Sequence, residues 1–250
     1  MRFCLAMAFQ DESRWLRLHL PVLMKAVGID GLIALDGGSD DDSAEIVRSY
    51  GGVVFYRPFD WNFGAHMNEL VRYCEDAQFD VVLRLDPDEL MYSADITRTR
   101  AMFYTPEVKA VMLPRYNFEE DRTRVWEAPY PDWQIRAWRL NEGVRYTQSV
   151  HESLSASIHA LGWGEPQLAD WHIYHYSGLR RDNPREVDAL RLKHINYHRL
   201  ANNETPLNAL PDELRWSQGF KDRVPFIGKQ PLDPAIIGKY APFHAEEVGV

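Results

Sequence analysis

Val81-Val82-Leu83-Arg84-Leu85-Asp86-Pro87-Asp88-Glu89 is the stretch on which the reading of this chain turns. Its first five residues are aliphatic apart from Arg84, as suits a strand buried on both faces of a parallel sheet. The run ends in three carboxylates. In open α/β sheets ligands bind beyond the carboxyl ends of the strands, so these acids fall where chemistry is expected. Asp86 and Asp88, one residue apart, can both face a single hard cation, or one can bind metal while the other holds a ribose hydroxyl. The plainer alternative is a solvated turn with a helix cap. Asp40 and Asp42 have the same spacing, but they sit in a run of three aspartates where a helix wants capping acids.

Upstream, Phe3–Phe9 predicts a first strand, followed by a helix from Glu12 to about Val27 that Pro21 bends. A second strand is expected at Leu32–Leu35. Asp42 or Ser43 can cap a helix running to Tyr50, and Gly51-Gly52 stops it. A third strand at Val53–Tyr56 and a helix at Ala65–Ala77 lead into the quoted strand, Val81–Leu85. A helical piece around Asp95–Phe103 and a strand at Val108–Leu113 follow. This alternation predicts an α/β fold with a mostly parallel sheet and crossover helices. A second acid stands at a strand end in Leu32-Ile33-Ala34-Leu35-Asp36-Gly37-Gly38-Ser39-Asp40. Asp36 can accept hydrogen bonds from a base or a ribose, with two glycines that let the backbone approach a ligand; alternatively it serves a tight turn and nothing more.

After Pro114 the character changes. Residues 115–180 are rich in aromatics, among them Trp126, Trp133, Trp138, Trp163 and Trp171, with little helical periodicity, and irregular strands and loops are expected. A charged helix is predicted from Pro184 to about Asn202, and repeated prolines after Glu204 suggest an extended tail. The expected organisation is one domain over residues 1–203, with a ligand-binding half at 1–113 and an acceptor and catalytic half at 114–203. Residues 204–250 form a tail that wraps the body or packs on a partner, a second copy of the chain included.

The 250 residues are 45% hydrophobic and 26% charged, as in an ordinary soluble globular protein. A formal net charge of −9 argues against nucleic acid, whose phosphates are held by clustered Lys and Arg. An anionic small ligand would need local positive charge, and a divalent cation is the simplest source. No apolar run approaches the ~20 residues of a bilayer span, which leaves peripheral association as the membrane contact to consider. Arg2–Phe9 is too short for a signal peptide's apolar region. Cys4 and Cys74 have no metal spacing, and a reduced, cytoplasmic protein is expected.

Taken in order, several phrases resemble the family 2 glycosyltransferases of GT-A fold. They are Gln10-Asp11-Glu12, Leu35-Asp36-Gly37-Gly38-Ser39-Asp40, Phe63-Gly64-Ala65-His66-Met67-Asn68, Asp86-Pro87-Asp88-Glu89, Asp132-Trp133-Gln134-Ile135-Arg136-Ala137-Trp138-Arg139 with Val150-His151-Glu152, and Ile173-Tyr174-His175-Tyr176-Ser177-Gly178. The resemblance covers roughly residues 1–200. It implies a nucleotide-sugar donor, transfer to a glycan or other acceptor hydroxyl with inversion, and dependence on Mn²⁺ or Mg²⁺. By position it places Gln10, Glu12, Asp36, Gly37, Asn68, Arg84 and Asp86 around the donor. It adds His175 to Asp86 and Asp88 as a third metal ligand. Three positions depart from the family pattern: Asp11 stands where Asn is commonest, Gly37 where an acid usually follows, and Met67 where Arg is frequent.

An inverting transfer needs one general base on the acceptor side, for which Glu152, beside His151, and Asp132 are the candidates. Either acid can instead partner Arg136 or Arg139. Arg180 and Arg181 can neutralise phosphate or lie idle on the surface. Trp133, Trp163 and Trp171 suit stacking on a sugar ring, although core packing is the commoner use. His172 and His175 point to opposite faces of a strand and cannot share a metal. His194 and His198, one helical turn apart, read as a solvated face. Two other functions fit the same residues: a non-catalytic sugar- or nucleotide-binding module, and a metal-dependent hydrolase.

Overall fold

The computed structural model describes residues 1–118, 124–126, 131–149, 153–176, 188–189, 192–193, 195–196, 199–200, 202, 204–209 and 229–231. Contacts gather the chain into two units. The first comprises residues 1–115 and 132–174, and the second residues 116–131 and 175–250. The chain leaves the first unit after Arg115 and returns to it at Asp132.

In chain order the first unit begins β1 (Phe3–Phe9), α1 (Ser13–Leu23), β2 (Gly31–Asp36), α2 (Ser43–Ser49), β3 (Val53–Tyr56), α3 (Phe63–Asp76) and β4 (Val81–Arg84). There follow β5 (Glu89–Leu90), α4 (Ser93–Met102), β6 (Ala110–Asn117), β7 (Arg124–Trp126), β8 (Asp132–Arg139), α5 (Ser155–Ala160), β9 (Gln167–Leu168), β10 (Ile173–His175) and β11 (Lys229–Pro231). Among the described residues the main sheet runs β3-β2-β1-β4-β8-β6-β10-β5, with β9 beside β6. β1 pairs in parallel with β2 on one side and β4 on the other, so strand order reverses about β1. β8 lies antiparallel to both β4 and β6.

The apolar runs are buried because both faces of the sheet are covered: Phe3 to Met7 and Val81 to Leu83 have essentially no exposure. Right-handed crossovers put α1 and α2 on one face and return α3 on the other. From α3, Met67, Leu70, Val71 and Cys74 pack with Cys4, Ala6, Ile33, Leu35 and Val82. Three elements differ from expectation. Helix α1 ends at Leu23, two residues past Pro21, which has no N–H to bond the Arg17 carbonyl within the last turns. Helix α3 starts two residues earlier than expected, at Phe63, because the Asn62 side chain caps it through the Ala65 amide at 2.9 Å. The eight-residue β8 stands where irregular structure was expected. Its polar residues face inward against other charges, which hides the alternation of a half-buried strand.

Beyond β8 the chain lies along α3. The Asn68 amide bonds both backbone groups of Tyr146, donating to its carbonyl at 2.9 Å and accepting from its N–H at 2.7 Å. Nearby, a Cβ placed on Gly64 would sit 2.1 Å from the Gln148 carbonyl oxygen. In the second unit, β11 pairs antiparallel with β7, so part of the proline-rich segment forms a strand. No described helix is long and apolar enough to cross a membrane.

The Gly64 contact leaves no room for a methyl group, and both partners are backbone. Gly64→Ala is expected to lower stability by about 2 kcal/mol through overpacking, read by chemical unfolding of the whole chain.

Candidate active site

The carboxyl ends of β1, β2 and β4 bring three loops together at the reversal of strand order, the position where open α/β sheets bind ligands. The loops after β1 and β2 are tied to each other. The Asp11 amide donates to Ser39 Oγ (3.0 Å), and Asp11 Oδ1 accepts from the Asp40 amide (2.7 Å). Asp11 holds φ at 54°, a conformation that Asp and Asn tolerate better than most residues. The first amides of α1 have no partner inside their own helix. Those of Glu12 and Ser13 are answered across the gap, by Ser43 Oγ at 2.9 Å and Asp41 Oδ2 at 3.0 Å. Burial works to raise the Asp41 pKa, but its bonds from Ser43 and Ser13 outweigh that and hold the carboxyl below its ordinary value.

Asp36, only 8% exposed, uses Oδ1 to accept from Gly38 N, Ser39 N and Ser39 Oγ at 2.8–2.9 Å. This is the turn role expected as an alternative. The second oxygen, Oδ2, has no hydrogen-bond partner among the described residues, so the ligand role is left open to it. A Cβ on Gly37 would meet Phe9 O and Phe59 Cβ at 3.3 Å, a tight fit. Gln10 reaches back to Gly38 O at 3.4 Å. Around this turn stand Phe59, with Trp61, Phe63 and His66 packed about its ring. His66 accepts from Arg57 at 3.1 Å, and burial followed by the Arg57 charge pushes its pKa down to about 4.

The carboxylate turn after β4 is set in an arginine network. Glu89, with no exposure, accepts from Arg136 (2.5 Å) and Arg115 (2.9 Å) through Oε1 and from the Asp86 amide (3.0 Å) through Oε2. Asp86 is paired with Arg84 at 2.5 Å and Arg136 at 3.3 Å. Asp132 is taken up by Arg115 at 2.7 Å and by Gln134 at 2.6 Å. Burial disfavours the Arg115 charge, but Glu89 and Asp132 outweigh it and keep the guanidinium protonated. Three arginines thus balance Asp86, Glu89 and Asp132, and Asp88, 5% exposed in the same turn, adds a fourth carboxylate. Carboxylate oxygens on Asp86 and Asp88 are the hard donors that Mg²⁺ or Mn²⁺ takes.

Other expected site residues are placed differently. His175 belongs to the second unit, where Nδ1 lies 2.6 Å from Asn117 Oδ1. Among the described residues no group of three or more His, Cys, Asp or Glu is arranged to hold a metal. Asn68, expected at the donor, has both its amide groups committed to Tyr146. Trp138 is core, Trp171 bonds Thr99 Oγ1 at 2.9 Å, Trp163 packs on the core, and Trp133 is 37% exposed. Arg139 ends on the carbonyls of Phe103, Thr105 and Val108. His151, Glu152, Arg180, Arg181, His194 and His198 lie outside the described residues.

The profile of glycosyl transferase family 2 matches residues 29–158, just over half of the chain. The chain belongs to this family. The glycosyl transferase family 2 domain is also 29% identical over 183 residues to a TPR repeat-containing protein of Synechococcus elongatus, covering 71% of this chain and 42% of that protein. Among solved structures, S. aureus TarS is similar with a TM-score of 0.54 at 13% identity, over 80% of this chain and 44% of TarS. A Pyrobaculum calidifontis mannosyltransferase bound to GDP-Man and Mn²⁺ gives 0.53 at 13% identity, over 84% and 66%. Mycobacterium tuberculosis glucosyl-3-phosphoglycerate synthase with Mn²⁺, UDP and glucosyl-3-phosphoglycerate gives 0.52 at 14%, over 84% and 81%. The shared fold is GT-A. The chain spans less than half the length of the first two of these relatives.

Two outcomes test the site's physical basis. Glu89→Gln removes a buried charge shared by two arginines and is expected to cost about 3 kcal/mol, read by urea unfolding. For His66, the unfolded chain binds a proton near pH 6.5 while the folded chain resists until about 4. The unfolded state therefore holds more protons in between, so stability is complete above that window and declines as pH falls through it. Thermal unfolding from pH 7 to 4.5 should show this, and His66→Asn, which keeps an acceptor for Arg57, should flatten it.

Proposed function

We propose that this family 2 domain transfers a sugar from a nucleoside-diphosphate donor to an acceptor hydroxyl, with inversion and with Mg²⁺ or Mn²⁺ at Asp86 and Asp88. The observation that carries the reading is the turn at the carboxyl end of β4, where Asp86 and Asp88 stand two residues apart at the reversal of strand order, with Arg84 and Arg136 on Asp86. The GDP-Man and Mn²⁺ in the mannosyltransferase structure, and the UDP and Mn²⁺ in the synthase structure, support it. The cation, when bound, supplies positive charge for the departing diphosphate.

The chain's own residues do the rest. Asp36 offers Oδ2 to a base N–H or a ribose hydroxyl, and Gly37 and Gly38 let the backbone come close. Gln10 and Glu12 hold the near side of the donor. Arg84 and Arg136 fix Asp86 against the repulsion of its neighbours. Glu152 removes the acceptor proton as that hydroxyl attacks the anomeric carbon. A glycan or another hydroxyl compound is the acceptor, and the cytoplasm is the place of action.

The test is a thermal-shift panel of UDP-, GDP-, dTDP- and CMP-sugars with and without Mn²⁺. One donor is expected to stabilise the protein only with the cation, by about 2.7 kcal/mol at a hundred times its dissociation constant. Asp88→Asn should abolish the effect and Asp36→Ala should weaken it, while Glu152→Gln spares binding and cuts turnover by roughly 10²–10⁴. Full-strength donor binding in EDTA would rule out the cation's role.

A further inference from the structure

Helix α1 turns Trp15, Leu16, Leu20 and Leu23 into the first unit, and His19 sits among them with no exposure to water. An imidazole in such company carries a desolvation penalty that an aliphatic residue would avoid, so its hydrogen bond has to be accounted for. The partner is the carbonyl oxygen of Pro87, 2.8 Å from Nδ1 and 68 residues away in sequence. A carbonyl only accepts, so Nδ1 carries the proton. The Trp15 ring lies 5.5 Å from the imidazole, tilted against it, and limits its rotation.

The position of that carbonyl gives the bond its meaning. Asp86 and Glu89 are fixed by the arginines and by each other's backbone: Glu89 N donates to Asp86 O at 2.9 Å, and Asp86 N to Glu89 Oε2 at 3.0 Å. Pro87 has no N–H to anchor it. Its carbonyl shares a rigid plane with the amide nitrogen and Cα of Asp88, so whatever holds the oxygen sets the direction in which Asp88 leaves the turn.

We propose that His19 is a positioning residue for the carboxylate pair: it holds the Pro87–Asp88 peptide plane so that Asp88 meets the cation beside Asp86. Its consequence for donor binding rests on the function proposed above, but the positioning itself does not. The glutamine and asparagine variants separate the two nitrogens of the ring. His19→Asn keeps a donor near the place of Nδ1, whereas His19→Gln moves it toward Nε2 and abandons Pro87.

Amide hydrogen exchange on the full chain, with Mn²⁺ alone as the calorimetric probe, decides the matter. In His19→Gln the amides of Asp88 and Glu89 should exchange about ten-fold faster, with β1 and β2 unchanged, while His19→Asn stays within about three-fold of wild type. Mn²⁺ affinity should fall with the first variant and return with the second. Equal exchange in all three proteins overturns the proposal, as does equal loss in both variants. Acceleration spread through β1 and β2 in either variant would make His19 a core residue only, and would also overturn it. The predicted exchange pattern in a wild type that binds no Mn²⁺ would uphold the positioning role and refute the cation-dependent function.

Discussion

Glu89 is a carboxylate with no access to water, and everything at the end of β4 follows from how its charge is answered. An ionised group cannot stay buried unless opposite charge and hydrogen bonds replace its hydration. Arg136 and Arg115 bring that charge from β8 and β6, and the Asp86 amide fills the remaining oxygen. The same guanidinium groups then reach outward, Arg136 to Asp86 and Arg115 to Asp132. One buried acid therefore recruits two arginines, and the arginines gather two more acids. Carboxylates that would repel one another in water are held side by side at a sheet's ligand-binding edge.

This network also explains the shape of the sheet. A parallel neighbour would end where β4 ends and would leave the turn beyond it without strand residues alongside. The antiparallel β8 runs back past it, carrying Asp132, Gln134 and Arg136 into the region where the turn needs partners. On the other side, the parallel β1 and β2 deliver their loops to the same edge. The residues at this edge thus come from segments of opposite direction.

The parallel part is legible in the sequence because its strands are apolar on both faces and its helices show periodicity. The Asp86 turn and the Asp36 turn are legible for the same reason: acids at the ends of apolar strands stand out. The eight-residue β8 is not, since burial of Asp132, Gln134 and Arg136 depends on partners far away in sequence, which no local pattern displays. For Asp132 the sequence offered an arginine partner as an alternative, but Arg115, 17 residues back on β6, is seen only in the structure. Asn68 is similar, an amide whose partner lies 78 residues on. His19 gives no signal at all beyond a polar letter on an apolar helical face. That anomaly could have been found by asking which buried histidine lacks a local partner.

The stitching between the loops after β1 and β2 bears on how such a domain can change. Ser13 and Glu12 are capped by Asp41 and Ser43, and Asp11 is bound to Ser39 and Asp40, so neither loop has a complete set of bonds by itself. A chimaera that imports one loop from another member of the family would leave orphaned amides on α1 and an unanswered aspartate in the other loop. Residues 10–13 and 38–43 therefore form a single unit of inheritance, to be exchanged together or not at all, although 24 residues of helix and strand separate them.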